Sequence, residues 1–478
     1  MKTMMVTTVL ALAVICAFAK SDGKRDDSEA ASLFEVKIRF VKTGRAALAA
    51  AGYFDPNGVD AAVLQERLAQ GGAEDICAIP LVFARSGKEA VIKQVTEYIY
   101  PTAYDVQLHQ HATTGTNAGA RVSAAVEPQS FRMREVGMIV QVTPTSTDGG
   151  DRLNFKLHAE FVDEPTWMDY GMTAKWEGAA AYDLPMEQPF FPCVCFDSSI
   201  GVLPGRTLVF GGVTDSRSKN EDKFVLAFAT TRRVDSAEKA SGPVGSCREE
   251  PENVAQTAKA PAGQIRAGDM VELDVRYISA DRKALLETGY FSTNGVDAAV
   301  LRERLMASRG AKLLESPRLV VRSGEEALLK GVVEYIYPTE YEVVHAVSEQ
   351  KIGKDIAHGS DSVGMAVKPK SFRMREVGTI LQVTPTWKDD GGMIDLEFST
   401  RLVGEPEWKD YGAKAKWKGA ATYDLPMKQP FFPCRVYIDD HVVMKPGATC
   451  VFGGGADRCQ GDADKFVFIF VTPRLLGR

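Results

Sequence analysis

What this sequence has little of excludes several classes of protein. Only 6 of its 478 residues are histidine, and Lys plus Arg (57) nearly balance Asp plus Glu (63), leaving a net charge of −6. That balance lacks the basic footprint that neutralises a phosphate backbone, so nucleic acid is not an expected partner. No internal stretch reaches the roughly eighteen apolar residues of a membrane helix. The 8 cysteines are too sparse for a disulfide scaffold in so long a chain. Apolar side chains at 45% and charged ones at 25% sit at the globular average, which excludes a wholly disordered or collagen-like chain. At about 100–200 residues per domain, the length predicts two to four domains.

The N-terminus reads as a targeting segment. Lys2 precedes the apolar run VTTVLALAVICA, and Ala17-Phe18-Ala19 places small residues for cleavage after Ala19. This is the pattern of a secretory signal peptide (1–19), followed by a polar leader at 20–31. A retained anchor is the other reading, for which the run is short. Cleavage removes Cys16 and leaves Cys77, Cys193, Cys195, Cys247, Cys434, Cys450 and Cys459, an odd set with at least one unpaired thiol. Buried thiols or one local disulfide would account for them. The pairing singled out is Cys434 with Cys450, on successive apolar segments joined by a Pro-Gly turn.

The rest of the chain is a tandem duplication. GYFDPNGVDAAVLQERL at Gly52–Leu68 returns as GYFSTNGVDAAVLRERL at Gly289–Leu305, and EYIYPTAY at Glu97–Tyr104 returns as EYIYPTEY at Glu334–Tyr341. SFRMREVG stands unchanged at Ser130–Gly137 and Ser371–Gly378. Trp167, Asp169, Tyr170 and Trp176 recur as Trp408, Asp410, Tyr411 and Trp417, and AAAYDLPMEQPFFPC as AATYDLPMKQPFFPC. Copy one spans 32–234 and copy two 270–478. The segment 235–269, rich in Ala, Glu, Lys, Pro and Gly, reads as a flexible linker.

Each copy reads as mostly β (α+β) with one short N-terminal helix. SLFEVKIRFV and MVELDVRYI alternate as half-buried strands do. VDAAVLQERLAQ and VDAAVLRERLMA have helical spacing, with a cap or turn expected at the preceding Asn57-Gly and Asn294-Gly. LVFARSGKEAVIKQV and LVVRSGEEALLKGV are strand pairs around a Ser-Gly turn. Ile394, Leu396 and Phe398 share one strand face, and KFVFIFVTP, apolar on both faces, belongs in the centre of a sheet.

The order of these elements resembles the secretin homology domain of type II and type III secretion and type IV pilus systems. Ser316, Pro317, Leu319, Val321, Ser323, Gly324 and Ala327 match its first strand pair; Pro80, Val82, Ser86, Gly87 and Ala90 do so in copy one. Val377, Gly378, Leu381, Val383 and Pro385 match its "vG-x-x-L-x-V-x-P" strand, as do Val136, Gly137, Val140, Val142 and Pro144. Gly392, Ile394, Leu396 and Phe398 match the following strand. Gly447, Thr449, Val451, Gly453 and Gly454 match its GG hairpin, with Gly205, Thr207, Val209, Gly211 and Gly212 earlier, and Thr472, Pro473 and Arg474 its closing strand. The resemblance implies two tandem secretin-like β domains and a non-enzymatic exported protein of the cell envelope, in periplasm or outer membrane. It implies a homo-oligomer formed by strand pairing that works with secretion or pilus machinery proteins. The polar stretches between YPT-x-Y and FRMREVG lack the girdled alternation of a membrane barrel, so outer-membrane association stays open. A soluble periplasmic binding or scaffold protein with the same fold is the alternative.

No catalytic, cofactor or metal site is expected. None of the histidines recurs between the copies, and His109-x-His111 lies in a polar stretch. Asp169/Asp410 and Asp183/Asp424 recur among aromatics, where desolvation could raise a pKa, but hydrogen bonding within a loop accounts for them more simply. The distinctive candidate is the aromatic cluster Trp167, Tyr170, Trp176, Trp408, Tyr411 and Trp417. It would be either a partner-binding patch or a cover for an open sheet edge.

Overall fold

Alternation decides the first strand of copy one: Phe34, Val36, Ile38 and Phe40 are buried, while Glu35, Lys37 and Arg39 between them are not. Its counterpart in copy two, Met270–Asp281, is not half-buried as its alternation predicts: strands pair on both sides of it and even Asp274 and Arg276 are buried. The computed structural model describes residues 33–234 and 270–476, except 56–57, 72, 76–80, 112–120, 148–151, 175–181, 216–222, 292–295, 347–363, 389–390, 417–421 and 458–463. The expected signal peptide, leader and linker lie outside the described residues.

The principal strands of copy one are β1 (Leu33–Gly44), β2 (Leu81–Arg85), β3 (Ala90–His111), β4 (Arg121–Thr147), β5 (Arg152–Val162), β6 (Glu187–Val202), β7 (Thr207–Thr214) and β8 (Lys223–Val234). Copy two repeats them in order as β9 (Met270–Asp281), β10 (Arg318–Arg322), β11 (Ala327–Ala346), β12 (Gly364–Lys388), β13 (Met393–Val403), β14 (Cys434–Met444), β15 (Cys450–Ala456) and β16 (Lys465–Leu476). The chain is mostly β, as its patterning predicts.

Both large sheets run through both copies. A 10-stranded sheet has the order β1-β8-β7-β10-β9-β16-β15, with β2 and Glu74–Asp75 on β1 and Ala311–Glu315 on β9. A 9-stranded sheet has the order β3-β4-β5-β6-β11-β12-β13-β14, with Thr166–Asp169 on β6. The copies therefore stand side by side, sharing each sheet. One core lies between the sheets, where Phe34, Val36 and Val225 meet Val140, Leu157 and Phe196, continuing into Val271, Leu273, Leu396 and Phe398 of copy two. Each such side chain contributes on the order of 1.5–3 kcal/mol on burial.

Helices form a third layer on the outer face of the 10-stranded sheet. Each copy has two rather than one: α1 (Arg45–Ala50) and α2 (Ala61–Gln70), then α3 (Arg282–Thr288) and α4 (Ala298–Ala307). α1 and α3 are too short to display a helical period in sequence. The caps are Asp60 and Asp297 rather than the asparagines, each accepting from two backbone N–H groups of the first turn. Leu48, Leu64, Leu68, Leu285, Leu301 and Leu305 pack on Phe224, Leu226, Phe468 and Phe470. Hence β16 is apolar on both faces. Phe468 and Phe470 serve the helical layer, while Val467, Ile469 and Val471 serve the core between sheets.

Candidate assembly interface

The copies join at a seam made by strand pairing. β6 runs antiparallel to β11 from Phe191↔Glu334 to Asp197↔Leu328, and β7 meets β10 at Gly211↔Arg318. Phe191, Cys193 and Cys195 of copy one pack with Val332 and Ile336 of copy two. The Phe190 ring lies 4.5 Å from that of Tyr335. Beside β7, the Tyr53 hydroxyl donates to the Ser316 carbonyl at 2.8 Å, and the Arg318 guanidinium sits 4.6 Å over the Tyr53 ring. Gly212, at φ +84°, makes this approach feasible, since a Cβ there would sit 2.1 Å from the Ser316 carbonyl oxygen.

Charge is paired across the seam as well. Arg134 Nη2 donates to Glu160 at 2.8 Å and to Glu334 of the other copy at 2.8 Å. Burial pushes the Glu334 carboxyl above its usual range, and Arg134 pulls against that shift. Glu315 accepts from the Thr214 N–H at 2.6 Å and from its hydroxyl. Its burial outweighs those bonds and pushes its pKa up to about 7.

The aromatic cluster divides between the copies. Tyr170 is buried in the seam, donates to the Ile336 carbonyl at 2.8 Å and packs edge-on against Trp408 at 5.6 Å. Its counterpart Tyr411 is exposed beneath the Lys409 ammonium. Trp167 is exposed, and Trp176 and Trp417 lie outside the described residues. Asp169 accepts from the N–H groups of Gly171 and Met186, and Asp410 from those of Gly412 and Met427, so both carboxylates tie down their loops. Asp183 pairs with Thr173 and Asp424 with Lys414 in short hairpins. His109 and His111 end β3, and their side chains are outside the described residues. Cys434 and Cys450 are free thiols. They sit on strands of different sheets, so the disulfide singled out from sequence is not formed.

One group escaped the sequence reading. His158, Cys195 and Asp197 have ligand atoms within 4.8 Å of one another. His158 Nδ1 is 2.6 Å from Asp197 Oδ1, and that carboxylate raises the imidazole pKa. Burial pushes the Cys195 thiol well up, away from the thiolate that binds metals. The trio is thus a histidine–carboxylate hydrogen bond beside a neutral thiol. Asp197, two residues from Cys195, was within reach of the sequence; His158 comes from the neighbouring strand, which only sheet order reveals.

At the outer ends, the strand types that make the seam stand open. Among the described residues, β2 and β3 at one end and β14 and β15 at the other pair on one side only. Equivalent residues differ accordingly. Ile336 is 5% exposed and Ile99 64%; Phe190 is 7% and Phe431 53%; Tyr170 is 6% and Tyr411 53%. No family model, curated protein or solved structure matches the chain.

Proposed function

We propose that this chain is a non-enzymatic exported protein of the cell envelope, a divergent secretin-like component of a type II/III secretion or type IV pilus-like system. It acts by β-strand pairing between copies of itself. The observation that carries this reading is the seam: β6 and β7 pair with β11 and β10, while the equivalent strands at the outer ends are paired on one side only among the described residues. Open edges with exposed apolar residues favour pairing with another chain. The alternative reading, a soluble periplasmic scaffold, draws support from the exposed Glu127, Gln129 and Arg132 on the β3–β4 hairpin, charged and polar residues that a lipid-facing band would exclude, set beside the exposed Ile99, Phe131 and Met133.

The test is mass measurement and negative-stain microscopy of the chain from Lys20 to Arg478, extracted in mild detergent. Rings or arcs of many subunits are the expected result. A single species of monomer mass at all concentrations would end the assembly reading. Release from membranes without detergent would favour the scaffold.

A further inference from the structure

The seam is not simply repeated at the open ends; its keys are inverted. Superposing the repeats puts Arg375 where Arg134 stands, Glu97 where Glu334 stands, and Arg401 where Glu160 stands. The seam has one arginine between two glutamates. The open ends offer two arginines to one glutamate. Glu97 is exposed, as is Arg375, which lies 5.0 Å over the Phe432 ring. Arg401 Nη2 is 3.8 Å from Glu376, a carboxylate that Lys330 already holds at 2.7 Å, and Arg401 Nε, shielded from solvent, has no hydrogen-bond partner among the described residues.

Size is inverted too. In the seam, Gly331 on β11 faces Val213 after β7's bulge, and a Cβ at Gly331 would lie 2.5 Å from Val213 Cβ. At the open ends Gln94 occupies the position of Gly331 and Gly455 that of Val213. Nothing lies within 4 Å of a Cβ built at Gly455, so there is room for the glutamine. A Gln94 brought against Val213 would collide.

Resting on the assembly reading above, we infer that the partner of β14 and β15 is β3 and β2 of a second copy of this chain, joined head to tail. Transposed from the seam, the register pairs Asp439 with Val91, Ile438 with Ile92 and Tyr437 with Lys93. Glu97 is then received by Arg375 and Arg401, Gln94 by Gly455, and the Tyr411 hydroxyl by the Ile99 carbonyl. The size key forbids β3 from pairing with a β6 edge, so copies alternate one-two-one-two along the assembly. The contact is heterologous and propagates.

The test is mass photometry on the full mature chain. Gly455→Val should weaken chain–chain association about tenfold or more, as overpacking and lost complementarity do. It should leave thermal unfolding of the separated chain unchanged, and adding Gln94→Gly should restore association. In a second arm, Glu97→Arg and the double variant Arg375→Glu/Arg401→Glu should each associate poorly alone, by about tenfold or more. Mixed in equal amounts, they should co-assemble. A wild-type chain that never associates would remove the assembly reading itself. Association that is indifferent to Gly455→Val, or charge variants that fail to complement on mixing, would overturn this junction while leaving assembly intact.

Discussion

Tyr170 and Tyr411 sit in the same W-x-D-Y motif with opposite fates, one buried in the seam and the other exposed. The same holds for Phe190 and Phe431, and for Ile336 and Ile99. Local sequence cannot be the cause, because it is nearly the same in each pair. Position along the sheet is. In the seam each of these residues has a neighbouring strand to cover it; at the ends that strand is missing. A duplicated domain thus supplies an internal control for its own surface, since burial in one copy shows what exposure in the other leaves unsatisfied.

The largest expected contrast comes from Phe191 and its counterpart Phe432. Phe191→Ala empties a fully buried seam position and should cost about 3–5 kcal/mol in denaturant unfolding. Phe432→Ala, at a half-buried position near the open end, should cost less than half of that. Equal losses would mean that the seam is no better packed than the end.

Charge should sharpen the contrast next. Arg134→Ala strands Glu160 and Glu334 together, and a loss of about 2 kcal/mol is expected, reduced from the fully buried range by partial exposure. Arg375→Ala in the unassembled chain should stay within about 0.5 kcal/mol. A double-mutant cycle between Arg134 and Glu334 would measure the coupling directly.

The seam should also respond to pH through Glu315. Its folded pKa of about 7 lies above the ordinary 4.5, so folding favours the protonated form. Its contribution is then complete below about pH 4.5 and is lost as pH rises through 7. Comparing melting temperatures at pH 5 and 8 for the wild type and Glu315→Gln isolates this group: the wild type should lose more stability on going to pH 8. A variant with the same pH profile as the wild type would show that Glu315 carries no such linkage.

The smallest seam-against-end contrast is expected at Tyr170 and Tyr411: Tyr170→Phe removes one hydrogen bond to the Ile336 carbonyl, about 1 kcal/mol. Tyr411→Phe should leave the free chain's unfolding unaltered.

The duplication, the strand content and the doubly apolar last strand were legible in the sequence, because repeats, period-two alternation and continuous β-branched or aromatic runs are local signals. The GG pairs are legible as glycines that take positive φ, but they are not turns: Gly211–Gly212 and Gly453–Gly454 lie inside β7 and β15, where the ladder register shifts in a bulge. The short helices α1 and α3 were not legible, being less than two turns of periodic pattern. Their Ala- and Leu-rich sequences acquire a fixed place only from packing on the sheet. The aromatic cluster stands out in the sequence without revealing its role, and Cys434 and Cys450 look adjacent there because a turn joins their segments. Sheet assignment separates those segments, and a linear sequence carries no record of which sheet a strand enters.

By itself, then, the sequence determined what each copy is made of: its strands, its long helix and the small residues at its turns, all set by interactions over a few residues. Only the tertiary structure decided that the two copies share their sheets, which of two equivalent tyrosines is buried, and that His158 lies beside Asp197. Those outcomes depend on contacts between strands far apart in the chain, such as Arg134 with Glu334. Their pairing is chosen by which edges meet, and not by the residues that flank them.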